Sequence, residues 1–191
     1  MSDSRHDPSR WVISDEVLSD LRRLLPDPHF EVPDIVGTVE GWRAWGVHYK
    51  DIRVPRLFSV TQSAYYWAPR KQGVAQCLRA AKVADRCHGE APPREGCTCG
   101  FYSAKTLEHL VSMSYHHYDA DRNGMFHVVG RVANWGKVIE GSQGWRTQFA
   151  YPLELFVPYE AWRLVEPLSR LYGVPAALKD TLGVPTTKEN T

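Results

Sequence analysis

The sequence predicts an α+β domain with a mainly antiparallel central sheet, flanking helices and a loop pinned by zinc. Three observations lead there. β-branched and aromatic residues gather in the middle of the chain, apolar stripes at helical spacing lie toward its ends, and a Pro/Gly-rich cysteine loop sits between them.

The apolar stripe Val17, Leu18, Leu21, Leu24 and Leu25 predicts the first helix. Ser14 sits at its N-cap, Asp15 and Glu16 fill its first turn, and Pro26 stops it. Strands are expected near 42–49 and 57–67, where Trp, Val, Tyr, Phe and Thr concentrate. "VAQCLRAAK" then resembles a short helix carrying Cys77. Ser103 is the expected cap of another, with Leu107, Leu110, Val111 and Tyr115 on one face.

Residues 125–156 read as strands, with "GSQG" joining two of them as a glycine-bounded loop. A last helix near Pro167 ends at Tyr172-Gly173-Val174-Pro175, where Gly suits the left-handed stop and Pro forbids continuation. The expected organisation is a tail over 1–12, a single zinc-stabilised domain over 13–180 and a frayed tail over 181–191.

Composition narrows the function classes. Hydrophobic residues at 43% and charged residues at 24% suit a globular chain rather than a disordered one. A formal net charge of +1 offers no global field for nucleic acid or anionic membrane. No apolar run approaches the ~20 residues of a membrane helix, and the polar start MSDSRHDPSR has no signal-like apolar region. The expectation is a cytoplasmic chain whose cysteines stay reduced, which favours a metal over a disulfide.

The sharpest feature is "CHGEAPPREGCTCG", residues 87–100, which holds three of the four cysteines and a histidine. Its Pro and Gly content excludes a helix or strand of any length, and ordering such a loop costs roughly 1–2 kcal/mol per residue. A metal would compensate that cost. Structural zinc takes four thiolate or imidazole ligands in a tetrahedron. Five candidates compete for those positions: Cys77, Cys87, His88, Cys97 and Cys99. Adjacent side chains rarely point the same way, so the expected set is Cys77, His88, Cys97 and Cys99, with Cys87 as the alternative ligand in an all-cysteine set.

Other motifs fail on spacing. Only Ala91 to Gly96 separates Glu90 from Cys97, too little for the two helices of a zinc deaminase, and its paired cysteines would need two intervening residues. "DADRNG" opens like a calcium loop, but Gly130 stands where a bidentate Glu is required. His109, His116, His117 and His127 read as surface or partly packed histidines. No nucleophile, phosphate-loop or dinucleotide motif is present. The balance leans away from an enzyme.

"RVANWGKVIEGSQGWRTQFAYP" is the most patterned aromatic stretch. Trp135 and Trp145 are expected to face each other across the hairpin, and cross-strand packing is the favoured reading. The other reading is a binding face of Trp135, Trp145 and Arg146, with Arg131 and Lys137 as supporting charges. The expected function is a small zinc-stabilised binding or adaptor module for a protein partner, with nucleic acid as a lesser option. The alternative is an enzyme or small-molecule receptor with an aromatic pocket.

Trp67-Ala68-Pro69, Cys77, His88, Pro92, "CTCGFYS" and "VVGRVANWGKVIEGSQGWRTQFAYP" together resemble an uncharacterised family of actinobacterial and phage-encoded proteins. The resemblance spans about residues 41–175, and its C-x-C-G and W-G motifs are the specific parts. It implies a single fold unit and the His88-containing ligand set over the all-cysteine one. It implies no chemistry.

Overall fold

The computed structural model describes residues 37–48, 53–77, 90–113 and 125–179. The helix expected over 14–25, both terminal tails, the "DADRNG" turn, Tyr115, His116 and His117 lie outside the described residues.

Strand β1 (Val39–His48) alternates its side chains between two apolar clusters. Trp45 and Val47 enter the main core, and Ala44 joins a smaller cluster with Ala104, Leu110 and Val129. A β-strand buried on both faces must be apolar on both, as β1 is from Ala44 to Val47. The stretch expected as one strand over 57–67 divides into β2 (Phe58–Ser59) and β3 (Gln62–Tyr66), turning at Val60-Thr61.

After β4 (Gly73–Val74) the chain runs to Cys77 without helix. The helix expected to carry Cys77 is therefore absent from 73–77. Sheet pairing overrides the helical pattern there: Gly73 and Val74 lie opposite Ala150 and Phe149, and the Ala75 amide donates to the Gln148 carbonyl at 2.8 Å.

Strand β5 (Phe101–Ala104) replaces the expected cap at Ser103. Helix α1 (Leu107–Ser112) starts three residues later on Thr106, whose hydroxyl accepts from the His109 amide at 3.2 Å. The long strands β6 (Met125–Glu140) and β7 (Gly144–Val157) form the expected hairpin around Gly141-Ser142-Gln143. A 3-10 segment (Tyr159–Leu164) leads into helix α2 (Val165–Tyr172). Gly173 closes that helix at φ 68°, a left-handed conformation that glycine adopts without Cβ strain. Strand β8 (Ala176–Leu178) follows.

The fold is α+β, and its sheet is mixed. Helix α2 turns the chain back so that β8 lies parallel to β7, whereas the hairpin partners β6 and β7 run antiparallel. This corrects the expectation of a mainly antiparallel sheet: a connection through a helix permits a parallel return that a short turn does not.

Pairings β1–β6, β6–β7, β7–β5 and β5–β1 form a closed ring of four strands. One buried polar network touches every member of it. The Asn134 amide donates to the Val39 carbonyl at 3.3 Å and to Ser103 Oγ at 3.1 Å, while Thr147 Oγ1 donates to Asn134 Oδ1 at 3.0 Å. Inside the fold, Trp45 meets Trp67 edge to face at 5.7 Å between ring centroids. Leu164, Leu168, Leu171 and Tyr172 seal the core from the C-terminal side.

Candidate metal centre and adjoining cleft

Cys77 arrives at the end of the β4 segment, and Cys97 and Cys99 arrive on the loop that enters β5. A turn aims the second pair: the Cys97 amide donates to the Arg94 carbonyl at 3.2 Å. Gly100, at φ 120°, then redirects the chain into β5. Position 100 is also closed to a side chain, because a Cβ there would meet Arg146 Cγ at 2.7 Å.

These segments bring three thiols to one point. Cys77 Sγ lies 3.7 Å from Cys97 Sγ, and the sulfurs of Cys77, Cys97 and Cys99 all fall within 4.8 Å of one another. A disulfide would need about 2.05 Å. Two thiolates sharing a tetrahedral zinc at about 2.3 Å stand about 3.8 Å apart, which matches the shorter separation. Cys77 and Cys99 are buried, Cys77 at 5% exposure, and Cys97 is half-buried, so two of the three donors are shielded from bulk water. This group of three cysteines lies close enough together to bind a metal ion. His88 and its alternative Cys87 lie outside the described residues.

Arg146 of β7 is turned toward this loop. Its guanidinium donates to the Arg94 carbonyl at 3.1 Å and the Cys99 carbonyl at 3.4 Å. A cleft of about 840 Å³ opens beside the cluster, with Cys77, Cys99, Arg146, Trp42, Leu110 and Trp145 among its lining. Arg43 reaches into it from β1. The Arg43 guanidinium donates to Ser59 Oγ at 3.1 Å and to the Tyr102 carbonyl, and stands over the Trp67 and Phe101 rings at 5.3 and 5.8 Å. Tyr65 bridges the β3 and β4 edges through Val74, and burial raises its phenol pKa above the ordinary value.

The five residues expected to form one binding face do not share one: Trp145 and Arg146 line the cleft, and Arg131, Trp135 and Lys137 do not. Trp135 is 3% exposed and packs on Phe149 at 6.1 Å, so its ring has no free face for a partner. It does not face Trp145 across the hairpin either, since Trp135 pairs with Phe149 and Trp145 with Glu140. An irregularity between Trp135 and Val138 sets this register. Arg131 pairs with Glu40 and lies 4.0 Å from Glu154. Lys137 reaches Glu90 at 3.8 Å.

Trp145 is the aromatic of the set that lines the cleft; its ring is covered by Lys105 Nζ at 4.7 Å and its indole donates to the Glu40 carbonyl at 3.1 Å. Sequence reasoning missed Trp42, Arg43, Tyr65 and Phe101. They look like ordinary strand residues, and nothing in their spacing marks the cleft.

No protein-family model matches the chain, and neither the curated proteins nor the solved structures gave a match. Among the described residues, no helix is long and apolar enough to cross a membrane.

Proposed function

We propose that the chain is a small zinc-stabilised binding module that takes a protein partner in the cleft beside the cysteine cluster. The observation that carries this reading is the convergence of Cys77, Cys97 and Cys99 within 4.8 Å. Soft thiolate donors in a compact, largely buried set suit zinc over harder cations. His88 supplies the fourth ligand on the sequence reading. Metal bound there would tie the β4 segment to the β5 loop, both of which line the cleft, and hold the cleft open without a ligand.

Protein is favoured over nucleic acid by charge. Arg131 and Lys137 are engaged with carboxylates, and the net charge is +1, which leaves a weak footprint for phosphates. An apolar, aromatic-lined cleft suits an inserted side chain of a partner, the usual anchor of an interface.

One observation favours the second reading, an enzyme or small-molecule receptor. The cleft volume of about 840 Å³ falls within the range of small-molecule sites, and Arg43 and Ser59 are polar groups among its lining. Elemental analysis and native mass spectrometry of untagged protein test both readings. Near-stoichiometric zinc without a small-molecule adduct supports the module, and a retained organic ligand favours the receptor. Protein that is folded and free of zinc sinks the metal reading.

A further inference from the structure

We infer that Arg146 is a positioning residue of the metal centre rather than a partner contact. The inference rests on the metal reading above. The loop from Arg94 to Cys99 carries two of the three thiols, and Arg146 donates to the carbonyl at each end of it, at 3.1 and 3.4 Å. The Arg94 carbonyl also accepts from the Cys97 amide, so one acceptor joins the guanidinium to the turn that aims Cys97.

The rest of the side chain is held as firmly. Its stem crosses Gly100, where no side chain blocks the path, and its backbone is paired with Tyr102 across β5 and β7. The guanidinium fork is rigid and presents five donors, so it can hold two carbonyls at a fixed separation, whereas an ammonium bonds both only through one freely rotating nitrogen. Three thiolates around a divalent cation leave excess negative charge, which a nearby cation offsets. Groups that orient metal ligands from one bond away typically govern affinity as well as geometry.

The test uses the full zinc-loaded chain and two variants, Arg146→Met and Arg146→Lys. Zinc affinity is read by competition with a chromophoric chelator, and ligand geometry by the thiolate-to-cobalt absorption of cobalt-substituted protein. Arg146→Met should weaken zinc by about 10–100-fold and alter the cobalt spectrum. Arg146→Lys should recover part of the affinity.

Unchanged affinity and spectrum in Arg146→Met overturn the inference. If that variant does not stay folded with excess zinc, Arg146→Lys decides: weakened affinity supports the positioning role, and wild-type affinity overturns it. Wild-type protein that takes up no zinc removes the metal reading itself, and the inference with it.

Discussion

The sulfurs of Cys77 and Cys97 stand 3.7 Å apart although twenty positions separate them in the chain. That separation is too long for a bond and fits two ligands of one metal. Chain entropy opposes holding two residues so distant in sequence this close, and a shared metal would offset that cost.

Cys97→Ser should therefore destabilise the protein strongly. A loss of about 3 kcal/mol would lower Tm by about 6–12 °C in a chain of this size. A strong chelator should produce a comparable drop in the wild type and little further change in Cys97→Ser. Thermal melts with and without chelator check this, and an unchanged melt in both would contradict a structural metal.

The fourth ligand is expected to be His88. His88→Ala should weaken zinc binding and shift the cobalt spectrum, while Cys87→Ser should be mild in both measurements. The reverse outcome would assign the position to Cys87 and make the set all-cysteine.

Trp135 and Trp145 should separate cleanly on mutation. Trp135→Ala removes a buried ring and should cost about 3–5 kcal/mol, whereas Trp145→Ala, at the cleft, should cost far less. Chemical denaturation of both variants measures the difference. Equal losses would mean that Trp145 is as structural as Trp135.

Asn134→Ala should cost about 1–3 kcal/mol despite the small change in volume, because it strands the buried Thr147 hydroxyl and Ser103 Oγ inside the strand ring. Denaturation midpoints report it. A neutral result would show that the network does not brace the ring.

Alkaline pH should destabilise the fold through two tyrosines. Tyr151 donates to the Tyr172 carbonyl at 2.7 Å, and Tyr172 donates to the Trp67 carbonyl at 2.9 Å. Burial raises both phenols above the ordinary 10.0, Tyr151 to about 12. Between those values the unfolded chain has released protons that the folded chain retains, so stability present below about pH 10 is lost as pH rises toward 12. Denaturant melts across that window should fall more gently for Tyr151→Phe than for the wild type. Parallel slopes would remove Tyr151 from the account.

Local chemistry makes much of the architecture legible. The β6–β7 hairpin is readable because two long runs of strand-forming residues flank "GSQG", and the end of α2 because Gly173 and Pro175 follow Tyr172. The segment before Cys77 has a helical pattern yet forms a strand, because its pairing with Phe149 and Ala150 is remote in sequence. Ser103 has the chemistry of a cap but not the role, for the same reason: β7 and β1 claim it for a strand, and Asn134 claims its hydroxyl. Long-range pairing can override a helical pattern that rests on weak local preferences.

By itself, the sequence determined that Cys77, Cys87, His88, Cys97 and Cys99 were the metal candidates, because thiols gathered in and just before a Pro/Gly-rich stretch are distinctive wherever they fall. It also determined the α+β class, since periodicity is a local property. Only the tertiary structure decided that Cys77 meets the C-x-C pair, that Arg146 turns to the cysteine loop while Trp135 goes to the core, and that a cleft opens beside the cysteines. Each of those outcomes depends on strand register. A shift of one residue sends a side chain to the opposite face, and no residue type near positions 135 to 146 specifies that register alone.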